Sequence, residues 1–95
     1  MKRRELMLKA VQRGKYANLY SHLSNLGGED WGVTFTELET ILGFSLPDSA
    51  YLYRPWWANQ SKSGHSQSMA WSVAGWKTSD VDMENETLTF RRDGS

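Results

Sequence analysis

Two histidines, and the serine beside one of them, are the residues of this chain best suited to catalysis. His65 and Ser66 are adjacent, as a general base and a nucleophile can be, and His22 lies far earlier in the sequence. A catalytic pair of this kind also needs a third group that orients the base and a strand-turn-helix context, and His65 has neither. A serine or histidine at this place is better suited to cap a helix. We therefore predict that the chain is not an enzyme.

Even fewer residues of the chain are suited to binding a metal ion. The chain contains no cysteine, which excludes disulfides, thiolate zinc sites and cysteine nucleophiles. The acidic stretch over residues 80–86 has the charge of a calcium loop but lacks its glycine and its terminal spacing. The sequence predicts no metal and no cofactor.

A group of polar and basic residues has the composition of a DNA-binding surface. The helix predicted to begin at residue 65 has a polar outer face near its N-terminus, where recognition helices present groups to base edges. That face consists of His65, Ser66, Gln67 and Ser68. Basic side chains placed to contact phosphates are Arg3, Arg4, Arg54, Lys62, Lys77, Arg91 and Arg92. We predict a non-catalytic domain, a small regulator or accessory factor, that binds duplex DNA through this third helix.

The charges of the chain are segregated along the sequence. Its 11 basic and 11 acidic residues give a net charge of zero. Residues 1–15 nevertheless hold six basic residues and one acidic residue, and residues 80–86 hold four acidic residues and no basic one. A basic arm can meet phosphate, whereas a neutral total is unusual for a DNA-binding domain. The arm therefore supports DNA binding, and the total charge suits a protein partner at least as well.

Aromatic residues offer a second kind of surface. Four of the five tryptophans lie within residues 46–76. Trp71 falls inside the third helix and Trp76 opens a strand, so both are expected in the core. Trp56 and Trp57 are adjacent, and in an extended segment adjacent side chains point to opposite sides. One of them is therefore expected to face inward and the other to be exposed or to cover the loop.

An alternative function follows from these aromatic residues. Exposed tryptophan and tyrosine side chains anchor many protein complexes. The candidate anchors are Tyr51, Tyr53, Trp56 and Trp57. The alternative to a DNA-binding domain is thus a protein–protein interaction module, an inhibitor or an adaptor.

Hydrophobic spacing, caps and turn residues predict the elements that position these groups. Thr34 and Glu37 have the spacing of a capping box ahead of the second helix, and Gly43 follows its end. We predict helices over 1–13, 16–26, 35–42 and 65–74, a helical turn near 46–50, and strands over 31–34, 76–83 and 87–90.

This order of elements is that of a winged helix-turn-helix, a small α+β domain. In that architecture the strand after the first helix pairs with the two-stranded wing at the end of the chain, and the third helix enters the major groove. We predict a basic arm or short helix over 1–14, one globular domain over 15–92 and a tail over 93–95. The aromatic linker between the second and third helices is longer than the turn of a compact helix-turn-helix.

The whole sequence also limits where the protein acts. No apolar run approaches the length of about 20 residues that a membrane span needs. The N-terminal segment is basic but lacks the apolar region of a signal peptide. We expect a cytoplasmic protein with no membrane partner, and the sequence is compatible with a homodimer.

One pattern of residues extends over nearly all of the chain after the basic arm. It consists of Lys15-Tyr16, Leu19, Val33-Thr34-Phe35, Glu37-Leu38-Glu39, Leu42-Gly43, Leu46-Pro47, Ser49-Ala50, Trp56-Trp57, Asn59, His65-Ser66-Gln67, Ala70-Trp71, Ala74-Gly75-Trp76, Val81-Asp82 and Phe90-Arg91. In this pattern, over residues 15–92, the chain resembles a bacterial family of small domains of unknown function. The resemblance implies a self-contained domain and brings no activity with it.

Overall fold

The helices and strands follow one another along the chain in the predicted order, with an additional 3-10 helix before the last α-helix. The computed structural model describes residues 3–59 and 66–93, and of residues 3–5 and 7 it describes the backbone alone. The elements within these ranges are α1 (Arg3–Arg13), α2 (Ala17–Ser24), β1 (Asp30–Thr34), α3 (Phe35–Leu42), α4 (Asp48–Leu52), a 3-10 helix (Arg54–Trp57), α5 (Ser66–Val73), β2 (Trp76–Asp82) and β3 (Thr87–Arg92). The prediction of a small α+β domain is confirmed. Within the described ranges, no helix is long and apolar enough to cross a bilayer.

The three strands form one antiparallel sheet in the order β1-β3-β2. Trp31 of β1 and Thr78 of β2 both lie opposite Phe90 of the central strand. The predicted pairing of the early strand with the C-terminal hairpin is therefore confirmed. Beyond Ser79 the β2 register shifts by a bulge, in which Asp80 has the left-handed φ of 49°.

Helix α3 begins and ends at the predicted signals. The Thr34 hydroxyl accepts a hydrogen bond from the Glu37 amide at 3.0 Å, and the Glu37 carboxylate accepts one from the Thr34 amide at 3.2 Å. These two bonds satisfy donors that the first turn of a helix leaves unpaired. Gly43 ends the helix with a φ of 84°, which glycine adopts without a steric penalty.

A chain of rings in contact, some stacked and some tilted or edge-on, runs through the core, and we call it the aromatic chain. Its members, in order of contact, are Tyr51, Phe35, Trp57, Trp71, Phe90, Trp31 and His22, with successive ring centroids 4.6 to 6.2 Å apart. Such pairs contribute beyond the area that they bury. The aromatic chain joins α4 to α2 through the sheet.

The buried tryptophans also place their indole N–H groups on specific acceptors. Trp57 Nε1 donates to the Ala50 carbonyl at 2.8 Å, and Trp76 Nε1 donates to the Leu23 carbonyl at 3.0 Å. Trp71 Nε1 donates to Asn59 Oδ1 at 3.0 Å. An unpaired buried donor would be destabilising, so these bonds make each tryptophan specific for its place.

The segment that carries Trp56 and Trp57 differs from the expected extended conformation. It is a 3-10 helix, because Pro55 suits a first helical turn and the Ala58 amide donates to the Pro55 carbonyl at 3.0 Å. Trp57 is buried, as predicted for one residue of the pair, whereas Trp56 is half-buried and packs against the core.

Asn59 ties the end of this segment to the outer edge of β2. Its side-chain amide bonds both backbone groups of Thr78: Oδ1 accepts from the Thr78 amide at 2.8 Å, and Nδ2 donates to the Thr78 carbonyl at 3.0 Å. The same Oδ1 accepts from the Trp71 indole and lies 3.0 Å from the Thr78 hydroxyl oxygen. One side chain thus replaces a neighbouring strand at this position and holds α5 to it.

Replacing Thr34 by alanine tests the cap of α3. We expect the Thr34→Ala variant to lose about 1 kcal/mol of unfolding free energy in urea, the usual effect of losing an N-cap. The control is Thr36→Ala, an exposed position in the first turn of the same helix. It should change stability little, or raise it slightly through helix propensity. Equal losses in the two variants would contradict the role given to Thr34.

Replacing Asn59 by alanine tests the tie to β2. Asn59→Ala leaves the Thr78 amide and the Trp71 indole without their acceptor, and we expect a loss of about 2–3 kcal/mol in urea denaturation. Asn18→Ala is the matched control, since Asn18 makes a single bond, to the Leu42 carbonyl at 3.2 Å. The control should lose about 1 kcal/mol. The assignment fails if Asn59→Ala is no more destabilising than Asn18→Ala.

Candidate functional site

Helix α5 does not present the polar face that was expected of it. Ser66 is exposed, but Gln67 is half-buried and its Nε2 donates to the Trp56 carbonyl at 3.2 Å. Ser68 is only 1% exposed. The placement of Ser68 on an outer face is therefore wrong, and the Gln67 amide is bonded within the fold. His65 lies outside the described residues.

The burial of α5 has a long-range cause. The helix packs against α1, α2 and β2, so neighbours lie on several of its sides. Ala70 and Trp71 are buried at this contact, and the small Ser68 allows close approach. Within the described part of α5, Ser66 is the one residue classed as exposed. This helix presents little surface to a major groove.

The basic residues predicted to contact phosphates do not gather around α5. Arg54 is exposed on the 3-10 helix, and Lys77 is exposed on β2. Because side chains alternate along a strand, Lys77 faces away from the core that Trp76 and Thr78 enter. Lys62 and the side chains of Arg3 and Arg4 lie outside the described residues.

Both arginines of β3 have partners within the fold. Arg91 bonds the Asp80 carboxylate at 2.7 Å and lies 3.6 Å from that of Asp30. Arg92 lies over the Trp76 ring, 4.1 Å from its centroid, and donates to the Leu26 and Gly28 carbonyls. Phosphate binding would compete with these contacts.

The hairpin end of the sheet and the hairpin turn itself are acidic. A polar groove there is lined by Gly32, Thr89 and the acidic residues Glu37, Asp80 and Asp82, among others. Hydrogen bonds from Asn85 lower the pKa of the Asp82 carboxyl. Glu84 and Glu86 are exposed in the turn beside it. A hairpin of this charge repels a phosphate backbone.

The predicted protein anchors separate into two groups. Trp57 is 2% exposed, so its place among anchors is wrong: its ring belongs to the aromatic chain. Trp56 and Tyr51 are half-buried, and the Tyr51 ring packs edge-on to Phe35 at 5.4 Å. Tyr53 is 61% exposed and free to meet a partner.

The sequence reasoning missed Leu52, which is 83% exposed beside Tyr53. Arg54 and Pro55 follow, both exposed, and together these four residues form what we call the Leu52–Pro55 corner. A leucine among aromatic residues in a short helix has the pattern of a core residue. No local spacing in the sequence marks Leu52 as exposed. It is exposed because Ala50 and Trp57 take the buried side of the turn.

Within residues 3–59 and 66–93, no group of three or more histidine, aspartate or glutamate side chains could hold a metal ion. The His22 ring packs against Trp31 in a tilted arrangement with the centroids 4.9 Å apart, at the end of the aromatic chain.

Tyr51 gives the site a measurable dependence on pH. Burial, then a hydrogen bond to Glu39 and the negative charges of Glu39 and Glu86, raise the Tyr51 pKa from 10.0 to about 12. A group whose pKa is raised by folding stabilises the fold below its unfolded pKa and loses that contribution as pH rises. The unfolding free energy should therefore fall between pH 10 and pH 12 by more in the wild type than in Tyr51→Phe.

Urea denaturation at several pH values measures this difference. Tyr53→Phe is the control, because that tyrosine is exposed, and it should follow the wild-type pH profile. A Tyr51→Phe profile parallel to the wild type across the same range would contradict the environment assigned to Tyr51.

Comparison with known proteins places the chain in a family. No curated protein and no solved structure matches it. A family model described as a domain of unknown function, DUF7662, matches residues 16–94, which includes nearly all of the described structure apart from α1. The chain belongs to the DUF7662 family, a family of domains of unknown function.

Proposed function

We propose that the protein is a non-catalytic protein-interaction module, an adaptor or inhibitor, that binds its partner through the Leu52–Pro55 corner. The observation that carries the proposal is the exposure of Leu52 and Tyr53, 83% and 61%, side by side on one ordered turn. Neighbouring exposed apolar side chains of this size are typical of binding surfaces.

The corner is held on a rigid base. Beneath it Ala50 and Trp57 are buried and joined by the bond from the Trp57 indole, and Tyr51 packs on Phe35. The Trp56 amide donates to the Tyr53 carbonyl at 2.9 Å and fixes the turn. A preformed surface loses little conformational entropy on binding, which favours affinity.

The residue types of the corner indicate the chemistry of its partner. Tyrosine and arginine are enriched among residues that dominate interface energies. Leu52 and Pro55 suit an apolar pocket, whereas the Tyr53 hydroxyl and the Arg54 guanidinium suit hydrogen-bond acceptors at its rim. We therefore propose a protein surface with an apolar pocket and acceptor groups around it, in the cytoplasm.

DNA binding is the second candidate, and the element order favours it. Without α1, α4 and the 3-10 helix, the order is α2-β1-α3-α5-β2-β3 with sheet order β1-β3-β2, which we propose is winged-helix-like. Exposed Lys9, Arg13 and Lys15 add positive charge at the end of α1. The buried α5 and the acidic hairpin oppose this candidate, and a fold does not fix a function.

Cross-linking from the corner tests the first candidate. A photo-reactive phenylalanine analogue replaces Tyr53 in the tagged full chain, in cells that normally produce it. We expect one stoichiometric protein adduct, and we expect the double variant Leu52→Ser/Tyr53→Ala to lose the same partner in a pull-down. Removing two central anchors typically weakens binding by about 100-fold or more.

Leu6→Ser is the matched control, since Leu6 is another exposed leucine, at 55%. It should retain the partner. Retention of the partner by the double variant, or its loss in the control alone, would overturn the proposal. Saturable binding of mixed-sequence duplex DNA that persists at physiological salt, with no protein adduct, would establish the second candidate instead.

A further inference from the structure

We propose that the free edge of β1 is a second docking site, which accepts an extended basic peptide as a fourth strand of the sheet. The site is formed by other residues than the Leu52–Pro55 corner: the 3-10 helix contacts β2, and β3 separates β2 from β1. The inference is independent of the function proposed for the corner.

The register shows which backbone groups of β1 are open. The Arg92 amide donates to the Glu29 carbonyl at 2.8 Å, and the Phe35 amide donates to the Glu86 carbonyl at 2.9 Å. Antiparallel pairing alternates, so Trp31 and Val33 also bond β3, while Asp30 and Gly32 direct their N–H and C=O groups outward. Both residues are exposed, and within the described part of the chain no bond to these four groups is seen.

The other edge of the sheet, formed by β2, is protected against pairing with a further strand, in contrast to the edge formed by β1. On β2, the outward N–H and C=O groups of Thr78 are bonded by the Asn59 side chain. Beyond Ser79 the bulge at Asp80 disrupts regular pairing. Bulges and covering groups protect sheet edges from unwanted strands. β1 is regular along its length, and at its C-terminal end the outward Thr34 amide is covered by the Glu37 carboxylate, which leaves the outward groups of Asp30 and Gly32 open.

Neither the backbone conformation nor the packing around Gly32 requires a glycine at this position. Its φ is not positive, and an added Cβ would meet no atom within 4 Å. Glycine within a strand is destabilising by about 0.5–1 kcal/mol relative to alanine. A bare position beside an open edge allows the close approach of another backbone. Gly32 also lies in the floor of the acidic groove on the outer sheet face.

The acidic residues around the β1 edge indicate which kind of peptide would bind there. Glu29 and Asp30 lie at one end of the edge and Glu37 at the other, all exposed. Asp30 keeps only a 3.6 Å contact with Arg91, whose 2.7 Å bond is to Asp80. A strand added here bonds through its backbone and gains from lysine or arginine near its ends. We infer a short β-prone segment with flanking basic residues.

Peptide titration followed by amide NMR tests the site. The probe is the acetylated and amidated peptide KVTVTVK, and its acidic counterpart is EVTVTVE. We expect saturable shifts with the basic peptide, centred on the Asp30 and Gly32 amides, and at least about threefold weaker binding of the acidic one. Shifts spread over the surface, or equal affinity for the two peptides, would overturn the proposal.

Two substitutions test whether the β1 edge binds the peptide. Gly32→Pro removes an outward N–H and leaves the β3 ladder intact, so it should abolish binding while circular dichroism shows a folded domain. Asp30→Asn should weaken binding about threefold, while Glu84→Gln, an equal charge change in the hairpin turn, should not. Unchanged peptide binding in Asp30→Asn would refute the site. This second variant decides the question if Gly32→Pro unfolds.

A wild-type dimer that Gly32→Pro makes monomeric would show that a second copy of the chain occupies the edge. That result would overturn the assignment of a basic peptide.

Discussion

The hydrogen bonds of the Asn59 side chain hold together parts of the domain that are distant in sequence. One oxygen accepts from the Thr78 amide and from the Trp71 indole, while the nitrogen donates to the Thr78 carbonyl. The Thr78 hydroxyl donates to the Trp57 carbonyl at 2.6 Å. The aromatic segment is thereby fixed against both β2 and α5. The position of the Leu52–Pro55 corner depends on this attachment, since the corner begins only a few residues before it.

Local signals were sufficient to predict the elements. The cap at Thr34, the glycine stop at Gly43 and the alternation in the hairpin each act within a few residues, and all three are found where expected. Trp71 and Trp76 were also assigned to the core correctly, because a helix interior and a strand start in a small domain are seldom exposed for such large rings.

The surface was harder to predict, because it depends on which elements cover one another. Ser68 lies in a polar run and reads as exposed, but the packing of α5 among α1, α2 and β2 buries it. Leu52 shows the reverse case. Its neighbours Ala50 and Trp57 occupy the inner side of the turn, which leaves the leucine outside. Among the four residues predicted as protein anchors, Tyr53 is exposed and Trp57 is buried, while the exposed Leu52 carries no local signal in the sequence.

The aromatic chain has a consequence for how the domain loses its structure. Its ring contacts pass through α3, the 3-10 helix, α5 and two strands without interruption, from Tyr51 to His22. Opening any one of these elements breaks ring contacts with its neighbours, so we expect the elements that the aromatic chain joins to open together rather than singly. Elements that open together would also hold the Leu52–Pro55 corner and the free edge of β1 at a constant distance from each other.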